Sequence, residues 1–239
     1  MRGAPVGRET AWHRLVGRLE ARQTALILIA GLPGSGRTHL LRAVGEAATT
    51  LGYTVIGSDE PVALEPTVRL SDLRRMLVAL VGGSDESKAG SEQGKVTGRL
   101  RGALDAAAKR TGDEHAVFEL LEAAVPVVLA IDGFAPSATL TTWFIDRLMP
   151  HILALPPPIV VLVADQLESM AALRNDAAEV IELGPLDHEV VGRHFRAVGA
   201  DLQPPLSDDE LAAYCAAVTD DLSVLTPLEE VLTMLGTKQ

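Results

Sequence analysis

Apolar positions along the chain change period several times, and each change marks an element. Trp12, Leu15, Val16 and Leu19 recur at three- and four-residue spacing after Glu9 and Thr10, which predicts an amphipathic helix over about 9–22. Residues 26–30 are instead continuously apolar, as expected of a strand buried on both faces. After a glycine-rich bend, a helix starting at His39, Leu40 and Leu41 runs to about Thr50, and Gly52 precedes a short strand over 53–56. Leu70, Leu73, Leu77 and Leu80 restore helical spacing until 82–95, where Gly, Ser and charged residues predict a flexible polar loop. Helices over about 97–110 and 113–124 lead to the apolar run 125–131, with Asp132 at its carboxyl end. A helix over 138–154 meets Pro156, Pro157 and Pro158, which stop it before a strand over 159–164; a last short strand covers 180–183. From Asp187 onward the spacing is helical, with Val190, Val191, His194, Phe195 and Val198 on one face and Ser207 with Glu210 as a capping box before Leu211.

Strands alternating with helices predict an α/β chain: a three-layer phosphate-loop fold with a parallel sheet over 1–185, then a small carboxyl-terminal helical lid over 186–239. Its 239 residues, 47% of them hydrophobic, suffice for a substantial core, and with aromatics at only 3% that core is aliphatic. The formal charge of −11 argues against a broad nucleic-acid surface. Arg2, Arg8, Arg14, Arg18 and Arg22 crowd the amino terminus against Glu9 and Glu20, and read as a solvated helix face rather than a basic patch. The single Cys215 excludes an internal disulfide and, in a Leu/Ala-rich segment, reads as an inert buried thiol, which suits the cytoplasm. No run approaches the roughly 20 apolar residues of a membrane span, and the amino terminus lacks a secretory stretch. Trp12 and Trp143 read as core, and the histidines show no zinc-ligand spacing.

The chemistry concentrates at residues 31–38, GLPGSGRT, between a strand and a helix. Such a bend aims several backbone N–H groups and the positive end of a helix dipole at one point, so an anion belongs there. A dinucleotide fingerprint would need a third glycine where His39 stands, although Asp59 would supply its ribose acid; a nucleophile elbow around Ser35 fails because position 33 is proline. In a phosphate loop, the amides of residues 34–38 hold the phosphates, the Thr38 hydroxyl binds Mg²⁺, and Asp132 at a strand end completes the metal site. The usual lysine is Arg37, whose planar guanidinium is bulkier and favours bidentate partners; binding survives this better than catalysis, and an alternative is that Arg37 pairs with an acid.

The order of these signals resembles the STAND branch of the AAA+-like phosphate-loop ATPases. Val6, Gly7, Arg8 and Glu9 match that family's VGRE box; GLPGSGRT followed by HLLRAV resembles its first nucleotide motif; VVLAIDGF and then IVVLVAD resemble its second motif and third core strand; and LGPLDHEVVGRHF resembles the turn into its helical lid. The resemblance implies ATP or ADP with Mg²⁺ as cofactors, held by Val6, Gly7, Arg8, Gly31, Gly34, Ser35, Gly36, Arg37, Thr38 and His39, with Thr38 and Asp132 at the metal and Val6–Arg8 near the adenine. It also implies a protein partner or a homo-oligomer. The departures lie where the chemistry should be. Gly133 replaces the acid expected after Asp132, Asp165 and Gln166 stand where relatives offer an arginine or polar sensor, and Thr219, Asp220, Asp221 and Leu222 replace a Gly-Asn-Pro turn. Each loss removes charge stabilisation in phosphoryl transfer. The expectation is a degenerate, nucleotide-binding regulatory module, at most a weak ATPase, acting through protein association. The alternatives are a nucleotide-free scaffold, or a working ATPase or small-molecule kinase in which Glu119, Glu122 or Glu168 replaces the missing acid.

Overall fold

A computed structural model describes residues 4–57, 62–65, 67–73, 75, 102, 113–155, 158–200, 205–220 and 224–236. The polar loop over 82–95, the helix over 97–110 apart from Gly102, and Asp59, Leu77, Leu80, Pro156, Pro157, Asp221 and Leu222 lie outside the described residues. Six strands form one sheet: β1 (Ala25–Gly31), β2 (Thr54–Ile56), β3 (Val62–Leu64), β4 (Val127–Phe134), β5 (Ile159–Asp165) and β6 (Glu179–Leu183), in the order β2-β4-β5-β1-β6 with β3 also on β4. All the pairings are parallel.

The continuous apolar runs follow from this arrangement, since a strand covered on both faces has no side to give to water. Leu26, Leu28 and Ala30 of β1, Val127, Leu129 and Ile131 of β4, and Ile159, Val161 and Val163 of β5 form one cluster, which α3 (Asp113–Ala124) covers with Val117, Leu120, Leu121 and Ala124. The alternate residues Ile27 and Ile29, Val128 and Ala130, and Val160, Leu162 and Ala164 face the other way, under α1 (Glu9–Glu20) and α2 (Arg37–Thr50). Trp12 and Trp143 are both buried.

Residues 138–154 are helical, but not as one regular helix. A π-helical turn, Phe144–Leu148, separates α4 (Ala138–Trp143) from α5 (Met149–Ala154). Pro150 has no N–H to give to the carbonyl four residues back, and the Met149 N–H donates five residues back, to Phe144. The helices α6 (His188–Val198), α7 (Asp208–Asp220) and α8 (Leu225–Gly236) gather Leu186, Val191, Phe195, Leu211, Cys215, Val218, Leu225 and Leu232 into a cluster of their own, against which Val6 packs. Ser207 and Glu210 form the capping box, the Glu210 N–H donating to Ser207 Oγ (3.3 Å) and the Ser207 N–H to Glu210 Oε2 (2.9 Å).

The chain leaves β1 for β2 on one side of the sheet and returns from β5 to β6 across β1. The carboxyl end of β1 is therefore where strand order reverses, the place at which open parallel sheets hold ligands.

Candidate functional site

Register assembles the site. Parallel pairing sets Asp132 of β4 beside Ala164 of β5, Asp165 of β5 beside Ala30 of β1, and Gly31 beside Leu183 of β6. Three strands, each with a glycine or an acid closing its apolar run, thus meet around the bend at residues 31–38. Gly34 (φ 77°) and Gly36 (φ 85°) turn the chain there, the Ser35 N–H donating to the Leu32 carbonyl (3.1 Å), and Gly36 becomes the N-cap of α2. The helix therefore begins at Arg37, two residues before the His39 start expected from apolar spacing, because the glycine cap rather than the first leucine sets its start. Gly31 has a steric role. A Cβ built on it would sit 2.3 Å from Ser35 Oγ, so the bare backbone is what lets the Ser35 side chain fold into the bend.

The Thr38 hydroxyl donates to Asp132 Oδ2, which unites the two residues expected at the metal. Asp132 lies within β4 rather than at its end. The strand continues through Gly133 to Phe134 because β3, three residues too short to give a periodic signal, pairs there with Val62 beside Ile131 and Leu64 beside Phe134. Gly133 has φ +90°, a conformation that costs an L-residue energy, so the backbone itself disfavours an acid at this position.

Arg37 does not point at open solvent. Its Nη1 donates to the Gly31 carbonyl (3.0 Å) and to Asp165 Oδ1 (3.2 Å). Asp165 is itself held, with Oδ2 accepting the Phe134 N–H (2.6 Å) and Oδ1 the Gln166 N–H (2.7 Å). His39 is exposed on the first turn of α2.

The VGRE segment, just before α1, reaches the loop and the far end of the chain's α/β portion together. Arg8 is 7% exposed, and its Nη2 donates to the Ser35 carbonyl (2.9 Å) and the Gly184 carbonyl (2.7 Å), tying the phosphate loop to the chain that leads from β6 into α6. Burial lowers the Arg8 pKa and neighbouring Glu9 opposes that, but an arginine stays charged. The Gly7 N–H donates to Glu9 Oε1 (3.1 Å). A cleft of about 450 Å³ opens between these parts, lined among others by Arg8, Pro33, Ser35, Leu183 and Leu186. Arg8 Nε and Ser35 Oγ are buried beside it without a hydrogen-bond partner, two polar atoms available to an anion or a heterocycle. Of the three candidate acids, Glu168 lines the cleft, whereas Glu119 and Glu122 belong to α3 on the opposite side of the sheet from α2, Glu122 beside His151.

The amino-terminal arginines are not a free basic face. Arg14 and Arg18 both bind Glu179 of β6 (2.6 and 2.9 Å), and Arg22 donates to the Leu51 carbonyl (2.9 Å) and lies over the Tyr53 ring. Spacing alone missed this because their partners are 29 to 165 residues away. It also missed Asp165 as the acid for Arg37, although an acid closing the apolar strand 159–164 was a readable signal once β5 neighbours β1.

Among the described residues no helix is long and apolar enough to cross a membrane. No curated protein matches the chain in sequence. One chain in the structure of the E. coli MS115-1 HORMA:CdnC:Trip13 complex is similar to it, with 15% identity, a TM-score of 0.49, and coverage of 99% of this chain and 89% of that one. The AAA ATPase domain family model matches residues 4–181, most of the chain. With its parallel sheet and its glycine bend at the switch point, the chain belongs to the AAA ATPase domain family of nucleotide-binding phosphate-loop proteins.

Proposed function

We propose that this chain is a degenerate, STAND-like regulatory module that binds ATP or ADP weakly with Mg²⁺, hydrolyses slowly or not at all, and acts in the cytoplasm by associating with a protein partner or with further copies of itself. The carrying observation is the contrast within one site. The bend keeps its shape and its Thr38–Asp132 pair, while the place of the expected acid is Gly133 at φ +90°.

The residues present fit a nucleotide. The amides of residues 34–38 would hold the phosphates, those of Arg37 and Thr38 because the first N–H groups of a helix have no partner within it, and that of Ser35 only on leaving the Leu32 carbonyl. Thr38 and Asp132 are oxygen donors of the kind Mg²⁺ takes. Arg8, Leu183 and Leu186, which line the cleft, would border the base between the α/β portion over 1–185 and the lid over 186–239, while Val6 and Gly7 sit behind them, Val6 on the helical cluster and Gly7 against Leu186. Bound Mg²⁺ would supply neutralisation of phosphate charge. What the chain's own residues supply is binding and orientation, with no acid beside Asp132 to take a proton from water.

Calorimetric titration of the purified chain with ATP and with ADP, with and without Mg²⁺, tests this reading. Weak saturable binding, strengthened by Mg²⁺ and losing that dependence in Asp132→Ala, is expected. No heat at millimolar nucleotide would overturn it and leave the nucleotide-free scaffold, a reading favoured by the Arg37 side chain lying on the Gly31 carbonyl and Asp165. Steady turnover that vanishes in Asp132→Ala would instead make the chain a working ATPase, with Glu168 as the acid to mutate next. Sedimentation with and without nucleotide tests the association.

A further inference from the structure

The exchange of lysine for arginine in the loop and the acid at the end of β5 are separate oddities in the sequence and a single contact in the fold. We propose that Asp165 is a positioning residue that sets the phosphate affinity of this site by holding Arg37 as an internal counter-anion, so that a polyphosphate must take the guanidinium away from a carboxylate. The inference rests on the nucleotide-binding reading above.

Three observations carry it. The pair is sheltered, the Arg37 and Asp165 side chains being 16% and 15% exposed, so it is screened less than a surface ion pair. The acid is fixed: two backbone N–H groups, of Phe134 and Gln166, hold its two oxygens, and the register of β5 against β1 fixes its backbone. The Arg37 side chain is therefore the movable partner. Finally, a single guanidinium nitrogen, Nη1, donates to the Gly31 carbonyl and to Asp165 together, so the charge that a phosphate on the bend would draw on already faces a carboxylate. A polyphosphate on the amides of residues 34–38 and the Asp165 carboxylate would compete for one cation.

The test is a double-mutant cycle read by calorimetric titration with MgATP. Asp165→Asn keeps an oxygen for the Phe134 N–H while removing the charge, and it should bind about tenfold more tightly than the parent chain. Simple repulsion between Asp165 and phosphate would also tighten binding, so the decisive comparison is made in an Arg37→Ala background. There Asp165→Asn should bring no gain, or no binding at all, because the released cation is absent. Equal or weaker binding by Asp165→Asn, or a gain that persists without Arg37, overturns the proposal. Circular dichroism melts confirm that each variant is folded, and Asp165→Ser, which also removes the charge, replaces Asp165→Asn if that variant unfolds. Binding by the parent chain without improvement in Asp165→Asn ends this inference alone. Binding by Asp165→Asn alone supports it, and silence from all four proteins ends the nucleotide reading and this inference with it.

Discussion

Gly133 and Arg8 show how single residues constrain the site. Restoring the acid that the second motif leads one to expect would place a side chain at φ +90°. Its Cβ would meet only Ala63 at 3.8 Å, so the cost is in the backbone and not in crowding. Gly133→Glu is therefore expected to lower stability by about 1–2 kcal/mol in urea unfolding, with no rise in phosphate release. Arg8 spans two carbonyls, of Ser35 and Gly184, with one buried guanidinium nitrogen. The shorter side chain of Arg8→Lys ends before the position of that nitrogen, and leaving the carbonyls short of a donor should cost about 1–3 kcal/mol in the same measurement. These residues need no ligand to be tested, because the interactions they make are internal to the chain.

At the scale of elements, α1 is fastened to the sheet by Glu179, which opens β6 between Arg14 and Arg18. Burial raises the Glu179 pKa, but the hydrogen bonds and charges of Arg18 and Arg14 outweigh it, and the carboxyl sits below its ordinary range. A folded-state pKa below the unfolded one stabilises the fold above the unfolded value and loses that contribution as pH falls through the folded one. Both arginines are more than one third exposed, so solvent screening keeps the effect to at most about 1 kcal/mol. Thermal melts of Glu179→Gln should fall below the parent above about pH 4.5 and converge with it as pH drops further. In the carboxyl-terminal helical cluster, Cys215 packs among Val191, Phe195, Leu211 and Val218, and burial raises its thiol pKa, with Arg196 partly opposing. Native protein should react slowly with a maleimide and quickly once unfolded, so the labelling rate reports whether α6 and α7 separate.

For the whole molecule, a ligand that binds only the folded chain must raise its melting temperature. At a free concentration one hundred times Kd the gain is about 2.7 kcal/mol, a shift on the order of 5–10 °C for a domain of this size. Calorimetric melts across a MgATP series test that shift, and a flat series would join calorimetry in favouring the scaffold. The layering that makes such coupling plausible was largely legible in the chain. Unbroken apolar runs such as 26–30 and 159–164 require cover on both faces, and the helical stripes of α1 and α2 on one side and α3 on the other provide it. The glycine bend was legible too, because its backbone demands are local. β3 was not, being too short to show a period and having meaning only beside β4. Nor was the widened turn before Pro150, where a missing N–H changes hydrogen bonding without changing composition. Local spacing and residue chemistry by themselves determined the layers, the bend and the identity of Thr38 and Asp132 as one site. Only the tertiary structure decided that Asp165 meets Arg37 and that Arg8 reaches the loop and Gly184, because those partners are brought within hydrogen-bond distance by parallel pairing and helix packing across most of the chain.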